Sequence, residues 1–384
     1  MNTWQSVKVA ELGRIVTGKT PKTAIPENYG GDIPFLTPSD DMSVKYVSKT
    51  AKTLTEKGLS EVKNTLLPPD AVCVSCIGSD LGKVVITTEK TVTNQQINSI
   101  IVDKDRFDVS FVYYAMLILG KELNFISKTS TAVPIVNKSS FSSYEIQCPS
   151  LDQQKRIAAI LSALDSKIEC NQKINDNLEQ QAQALFKSWF VDFEPFGGNK
   201  PCNWELSTLG KVSKMGAGGD KPQMVSPVKT PDCPYPIYSN GLSNEGLYGY
   251  TNSAKIFDES VTVSARGTIG FVSLRHIPYV PIVRLVTLVP HREILSAKYL
   301  FLWLKQLHIA GTGTTQQQLT VPAFQKTEIL VPSIDIIASF DEIVDPIYQK
   351  IWSNQTENER LALIRDTLLP RLISGELDVS DLDL

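Results

Sequence analysis

Apolar residues recur along the chain at two spacings, and the change from one to the other divides it into four segments. From Ile157 onward Leu161, Leu164, Ile168, Asn171, Asn175, Leu178, Ala182, Leu185 and Trp189 step by four and three, which is the heptad seam of a long amphipathic helix. A second seam runs through Phe340, Val344, Ile347, Ile351, Asn354, Asn358, Leu361, Arg365, Leu368 and Leu372. Ser150 with Gln153 has capping-box spacing, Ser333 is the matching cap, and Gly197-Gly198 and Gly375 follow the ends. Each helix therefore spans about 40 residues and roughly 60 Å. The long segments read differently. Short β-rich runs at 72–74, 84–87, 99–102, 261–264 and 283–288 lie between turn residues, with one helical stretch per segment near 109–121 and 297–309. The expected fold is α/β in the α+β sense: two tandem mixed α/β domains, 1–150 and 197–332, with a first spacer helix in 151–196 and a second, with the C-terminal tail, in 333–384.

The pattern repeats. Phe141-Ser-Ser-Tyr-Glu-Ile-Gln-Cys-Pro-Ser-Leu-Asp152 lies over Phe324-Gln-Lys-Thr-Glu-Ile-Leu-Val-Pro-Ser-Ile-Asp335 without a gap, and the register carries Lys167-Ile168 onto Lys350-Ile351, Asn171-Gln172 onto Asn354-Gln355 and Leu178 onto Leu361. Upstream, Trp4 followed by Leu12-Gly13 recurs as Trp204 followed by Leu209-Gly210. This is a tandem duplication of a variable segment followed by a helical one. The helices either pair with each other or pack separately on their own domains. Asparagines at the same seam positions in both copies favour pairing, because buried polar seam residues fix register. The expected pairing set is Leu164, Ile168, Asn171, Leu178, Ile347, Ile351, Asn354 and Leu361, antiparallel, with Asn171 close to Asn354.

At 384 residues, 42% apolar and 21% charged, the chain is globular, and its longest apolar stretches fall short of the roughly 20 residues that span a bilayer. A cytosolic location is expected, with no membrane contact. Six cysteines are too sparse for a disulfide scaffold. The net charge of −3 hides an uneven distribution: 16 basic against 15 acidic residues in 1–150, 5 against 7 in 151–196, 13 against 8 in 197–332 and 4 against 11 in 333–384. Any electropositive face lies on the long segments, the second above all.

Several strings invite a catalytic reading. Gly13-Arg-Ile-Val-Thr-Gly18-Lys19-Thr20 matches the Walker A string, but Pro21, Pro26 and Gly30-Gly31 leave no room for the helix whose N-terminus a P-loop needs. Cys73-Val-Ser-Cys76 is a lone CxxC whose side chains would point to opposite faces of a strand. His276, His291 and His308 have no ligand spacing. No motor of an amino-methyltransferase, nuclease signature or nucleophile elbow is found, so no catalytic residue and no metal site is assigned.

The chain resembles the specificity (S) subunit of type I restriction-modification systems. The resemblance rests on Trp4 with Leu12-Gly13, Trp204 with Leu209-Gly210, Pro149-Ser-Leu-Asp-Gln-Gln-Lys-Arg-Ile157 entering a helix, Leu185-Phe-Lys-Ser-Trp-Phe-Val-Asp-Phe193 closing it, Ser264-Ala-Arg-Gly-Thr-Ile-Gly270, and Leu368-Leu-Pro-Arg-Leu-Ile-Ser-Gly-Glu-Leu377. Ile336-Ile337 stands where the first copy has Gln153-Gln154, a departure at the second helix entry. The resemblance implies a non-catalytic DNA-recognition subunit in defence against foreign DNA. Two target-recognition domains, held apart by two antiparallel helices, would each read one half of a bipartite target on double-stranded DNA. The implied partners are two methylation (M) subunits, which carry S-adenosylmethionine and methylate adenine, and motor-nuclease (R) subunits that use ATP and Mg; no cofactor belongs to this chain. The DNA-binding surface is expected at Lys19, Thr20, Lys22, Thr37, Ser39, Asn94, Gln95 and Gln96 in the first domain, and at Lys214, Lys221, Ser239, Asn240, Arg266, Thr268, Gln316, Gln317 and Gln318 in the second. Two rival readings are a P-loop ATPase on 13–20 and a repeat scaffold that binds only protein. Salt-dependent DNA binding without nucleotide separates them.

Overall fold

A computed structural model describes residues 4–78, 80–128, 135–307, 309 and 318–379, without the side chains of 126–128. It consists of two compact units, residues 1–172 with 355–384 and residues 173–354.

In the first unit β1 (Gln5–Lys8) is followed by β2 (Gly13–Thr17), β3 (Tyr29–Leu36), β4 (Tyr46–Val47), β5 (Lys52–Leu54), α1 (Glu56–Val62), β6 (Ala71–Ser75), β7 (Val84–Thr87), β8 (Val92–Thr93), β9 (Ile97–Val102), α2 (Val109–Lys128), α3 (Lys138–Ser143), β10 (Glu145–Cys148) and α4 (Leu151–Phe190). The main sheet has the order β2-β9-β6-β7-β4, a three-stranded sheet the order β5-β3-β8, and β1 pairs with β10. All five residues of β6 are buried, because both faces of this strand are covered. Val72 and Val74 share a core with Phe111, Val112, Ala115 and Met116 of α2. Ala71 and Cys73, pointing the other way, share one with Leu36, Met42 and Val47. Cys73 and Cys76 therefore belong to different cores, and burial pushes the Cys73 thiol up to about 12.

The second unit repeats this plan with β11 (Glu205–Thr208), α5 (Leu209–Val212), β12 (Ser213–Ala217), β13 (Tyr235–Tyr238), β14 (Leu247–Thr251), β15 (Ser260–Ser264), β16 (Val272–Arg275), β17 (Val280–Pro281), β18 (Leu285–Pro290), α6 (Ala297–Gln306), α7 (Val321–Phe324), β19 (Glu328–Val331) and α8 (Ile334–Ile373). Its sheets run β12-β18-β15-β16 and β14-β13-β17, and β11 pairs with β19. Strand for strand, β12, β18, β15 and β16 take the places of β2, β9, β6 and β7, and α6, capped by the Ser296 hydroxyl on the Tyr299 amide, takes that of α2.

The two long helices are 40 residues each, and each is shared between the units. This departs from the expectation that they form segments of their own. The cause is sideways packing: Ile157, Ala158 and Leu161 of α4 join Leu369, Leu372 and Ile373 of α8 in the first unit's core, while Phe186 and Phe190 meet Phe340 at 6.1 and 4.9 Å in the second. The chain directions run opposite in both units. In the first, Arg365 bonds Asp165 at 2.9 Å and Asn171 bonds Asn358 at 2.9 Å; in the second, Asn354 bonds Asn175 at 2.8 Å. The partner of Asn171 is thus Asn358, and that of Asn354 is Asn175, four residues from the expected match of Asn171 with Asn354. Of the expected pairing residues Asn171, Ile351 and Asn354 are buried, and Leu164, Ile168, Leu178, Ile347 and Leu361 are half-buried. The opening tryptophans meet the helix ends crosswise. Trp4 lies against Gly375, beyond α8, where a Cβ would come within 2.6 Å of the indole. Trp204 packs on Phe190 at the end of α4. Gly375 also has φ +78°, a conformation open to glycine.

Candidate nucleic-acid interface

One end of the main sheet in each unit gathers loops, and the same backbone hydrogen bonds hold them. In the first unit β2 runs out at Thr17, after which the Gly18 amide donates to Ile97 O and the Lys19 amide to Thr93 O, at 3.1 and 2.9 Å. The Asn94 amide donates to Leu36 O at 3.0 Å and the Cys76 amide to Gln96 O at 2.7 Å. These four bonds bring together the exits of β2 and β3, the β8–β9 turn and the β6–β7 loop. A side chain at residue 18 would strike Asn94 O at 2.1 Å, so glycine there is what lets the strands close up. Gly13–Thr17 is a strand, and Gly18-Lys19-Thr20 opens no helix, which disposes of the phosphate-loop reading.

Most of the expected first-domain residues stand in this cluster. Thr20 Oγ1 donates to Gln95 Oε1 at 2.6 Å, Thr37 and Ser39 share a hydroxyl contact at 2.7 Å, and Asn94 Nδ2 donates to Gln96 Oε1 at 2.8 Å. Asp40, itself buried, accepts from the amides of Thr37 and Ala51 and pins the β3 exit. Lys19 and Gln95 are exposed, whereas Asn94 is buried with its side chain turned into the loop. Lys22 stands apart. Its amide donates to Glu61 on α1 at 2.9 Å, the bond that holds the Glu61 carboxyl below its ordinary range.

The second unit has the same four bonds: Gly218 to Leu285 O at 2.7 Å, Gly219 to Pro281 O at 3.3 Å, Ile282 to Tyr238 O at 2.9 Å and Ala265 to Arg284 O at 2.8 Å. Gly218, like Gly18, has no room for a side chain, with Ile282 O at 2.0 Å from an ideal Cβ. Ser239 and Asn240 leave β13, and Asn240 Nδ2 donates to Arg266 O at 2.9 Å. Arg266 is half-buried, and Thr268 Oγ1 is buried without a hydrogen-bond partner among the described residues. Exposed Lys221 lies 5.9 Å from the Tyr248 ring. Lys214 is not part of the cluster; it sits near the start of β12, opposite Val289. Gln318 is exposed next to Leu319, whose amide bonds Ala265 O, while Gln316 and Gln317 lie outside the described residues, as do 129–131 of the first unit's polar loop.

The bonding pattern also places Val283 and Arg284 where the first unit has Gln95 and Gln96. Sequence reasoning missed both, because the gap-free repeat register starts only at Phe141 and Phe324 and does not align the variable segments. Beneath the β13–β14 loop, buried Arg275 bonds Glu245 Oε2 at 3.0 Å and Glu245 O at 2.7 Å and stacks on Tyr238 at 3.7 Å. It ties down the loop that carries Asn240. Among the described residues no group of three His, Cys, Asp or Glu is placed to hold a metal ion, and no helix is long and apolar enough to cross a membrane.

Residues 1–180 and 201–363 match the model of the type I restriction modification DNA specificity domain. The type I restriction enzyme MjaIX specificity subunit of Methanocaldococcus jannaschii is 30% identical over 99% of this chain and 94% of its own. The HindI specificity subunit of Haemophilus influenzae is 26% identical over 98% of this chain and 100% of its own. The crystal structure of the S subunit from M. genitalium, 17% identical, superposes with a TM-score of 0.58 over 99% of this chain and 97% of that one, a likeness of fold. The chain belongs to the family of type I restriction-modification specificity subunits.

Proposed function

We propose that each unit reads one half of a bipartite DNA target through its loop cluster, and that the two shared helices set the spacing between the halves. As a specificity subunit the chain recognises the DNA target of a restriction-modification complex and is not itself catalytic. The observation that carries the bipartite reading is the duplication of one loop scaffold: four equivalent backbone bonds in each unit, surrounded by Lys, Arg, Thr, Ser and Gln side chains suited to phosphates and base edges. The charge balance supports it, since the helical segments are acidic and the second variable segment is the most basic. Contacts to DNA are assigned to Lys19, Thr20, Thr37, Ser39, Gln95 and Gln96 in the first unit, and to Lys221, Ser239, Asn240, Arg266 and Gln318 in the second. Methylation of adenine with S-adenosylmethionine, and cleavage driven by ATP and Mg, belong under this reading to two methylation subunits and the motor-nuclease subunits, in the cytoplasm.

The test is binding of the chain with its methylation partner to duplexes carrying both halves, either half or neither, at several salt concentrations and without nucleotide. Affinity should fall linearly on a log–log salt plot and be greatest for the intact target. Salt-independent binding, or equal affinity for all four duplexes, would contradict the proposal.

A further inference from the structure

The second unit contains four arginines, and two of them are neutralised within the protein. Buried Arg275 meets Glu245 at 3.0 Å, and Arg292 meets Asp258 at 3.2 Å. Arg266 and Arg284 have no hydrogen-bond, ion-pair or ring partner for their guanidinium groups among the described residues. Both stand at the loop-bearing end, on backbone segments joined by the Ala265–Arg284 bond of 2.8 Å.

Arg284 has a further peculiarity. Its φ is +74°, in the left-handed region, whereas Gln96, at the equivalent place, is not among the residues of positive φ. A side chain in that region is strained and glycine is the residue that fits. A long charged side chain held there by a bonded carbonyl, in place of glycine, points to a use for the side chain and not for the turn. Its neighbour Val283 is 49% exposed. An exposed valine at the tip of the same turn is a poor companion for phosphates but suits a base edge or the methyl group of thymine.

We propose that Arg284 is a specificity-determining residue of the second unit, its planar fork donating to O6 and N7 of a guanine in the major groove, with Val283 against the adjoining base and Arg266 adding a second positive charge beside it. This deepens the DNA-recognition reading above and rests on it.

Arg284→Gly tests it, because glycine accepts the backbone conformation and the variant should melt no lower than the parent. In cells carrying the complete restriction-modification complex, methylome sequencing should show the first half of the motif unchanged and one guanine position of the second half turned degenerate. Binding of the purified complex to the original target should weaken roughly ten- to a hundredfold. Arg284→Lys should relax the same position, since it keeps the charge and loses the fork. An unchanged motif, or an affinity loss equal on all sequences with the motif retained, would overturn the proposal by reducing Arg284 to a phosphate contact or less. A parent complex that methylates no two-part motif would instead overturn the recognition reading beneath it, and the proposal with it.

Discussion

Asn171 donates from Nδ2 to Oδ1 of Asn358 at 2.9 Å, and the repeat reproduces this bond with the copies exchanged: Asn354, the counterpart of Asn171, donates to Asn175, the counterpart of Asn358, at 2.8 Å. One bond belongs to each unit. Two buried amides placed this way favour one alignment of the helices, because a slip by one heptad sets Asn171 and Asn354 against Ile351 and Ile168 in one direction, and against Arg365 and Ala182 in the other.

The energetic consequence can be measured. Asn171→Leu should destabilise the protein by about 1–3 kcal/mol, since it removes the donor to Asn358 and Glu357. The double variant Asn171→Leu, Asn358→Leu should recover most of that loss, an apolar pair of similar volume being a good substitute for a buried polar one. Denaturant unfolding of the single and double variants checks this, and a strictly additive double variant would count against the coupling.

Stability should also depend on pH through a buried carboxyl. Burial raises the Asp341 carboxyl from its ordinary 3.8 to about 6, although the Ser296 hydroxyl bonded to it at 2.9 Å acts the other way. A carboxyl whose folded pKa is raised favours the folded state when protonated. Its contribution is complete below about pH 4 and is lost as pH rises through about 6. Asp341→Asn keeps an acceptor for Ser296 and removes the buried charge. The variant should melt higher than the parent at pH 7, by roughly 2–4 °C, and equally at pH 4. Calorimetry at the two pH values checks it, and a variant less stable at pH 7 would contradict the assignment.

Lys19 and Arg284 are expected to behave differently as DNA contacts. Lys19 is exposed beside the Gly18 turn and is assigned to phosphate. Lys19→Ala should weaken binding to every duplex alike and lower the log–log salt slope by about one, leaving the methylated motif intact. Fluorescence anisotropy across a salt series reads both quantities.

The helices were the most legible part of the sequence, because a heptad seam is a local pattern and the duplication states it twice. The strands were legible where β-branched residues cluster between turns, as in the apolar run of β6 and the Val-Thr-Val of β15. The alignment of the two helices was less so: a seam gives its asparagines but not which of four residues faces which, and Asn171 meets Asn358 and not Asn354. The loop clusters were legible in part. Short polar runs such as Asn94-Gln95-Gln96 announce themselves by composition, but Val283 and Arg284 sit in a run that reads as strand, and a positive φ leaves no mark in the sequence when the residue is arginine. Lys214 shows the converse, a basic residue chosen by type that the register of β12 carries away from the loops.

The asparagine bonds also locate the place to lengthen the helices. Seven residues inserted after Lys173 and seven after Gln355 fall between the two bonds and preserve both. Each helix grows by about 10 Å, equivalent to roughly three base pairs at 3.4 Å each. The complex should then methylate oligonucleotides whose spacer is longer, with both half-sites unchanged. Undiminished methylation at the parental spacing would mean that the helices do not set it.

The central claim is that two copies of one loop scaffold read separately. Its most direct test is the methylome of cells whose complex contains a chimera with residues 1–140 replaced by the matching segment of a relative of different specificity. One half of the recognised motif should change to that of the donor, while the other half and the spacer stay as they were. A motif altered in both halves, or in neither, would contradict the account.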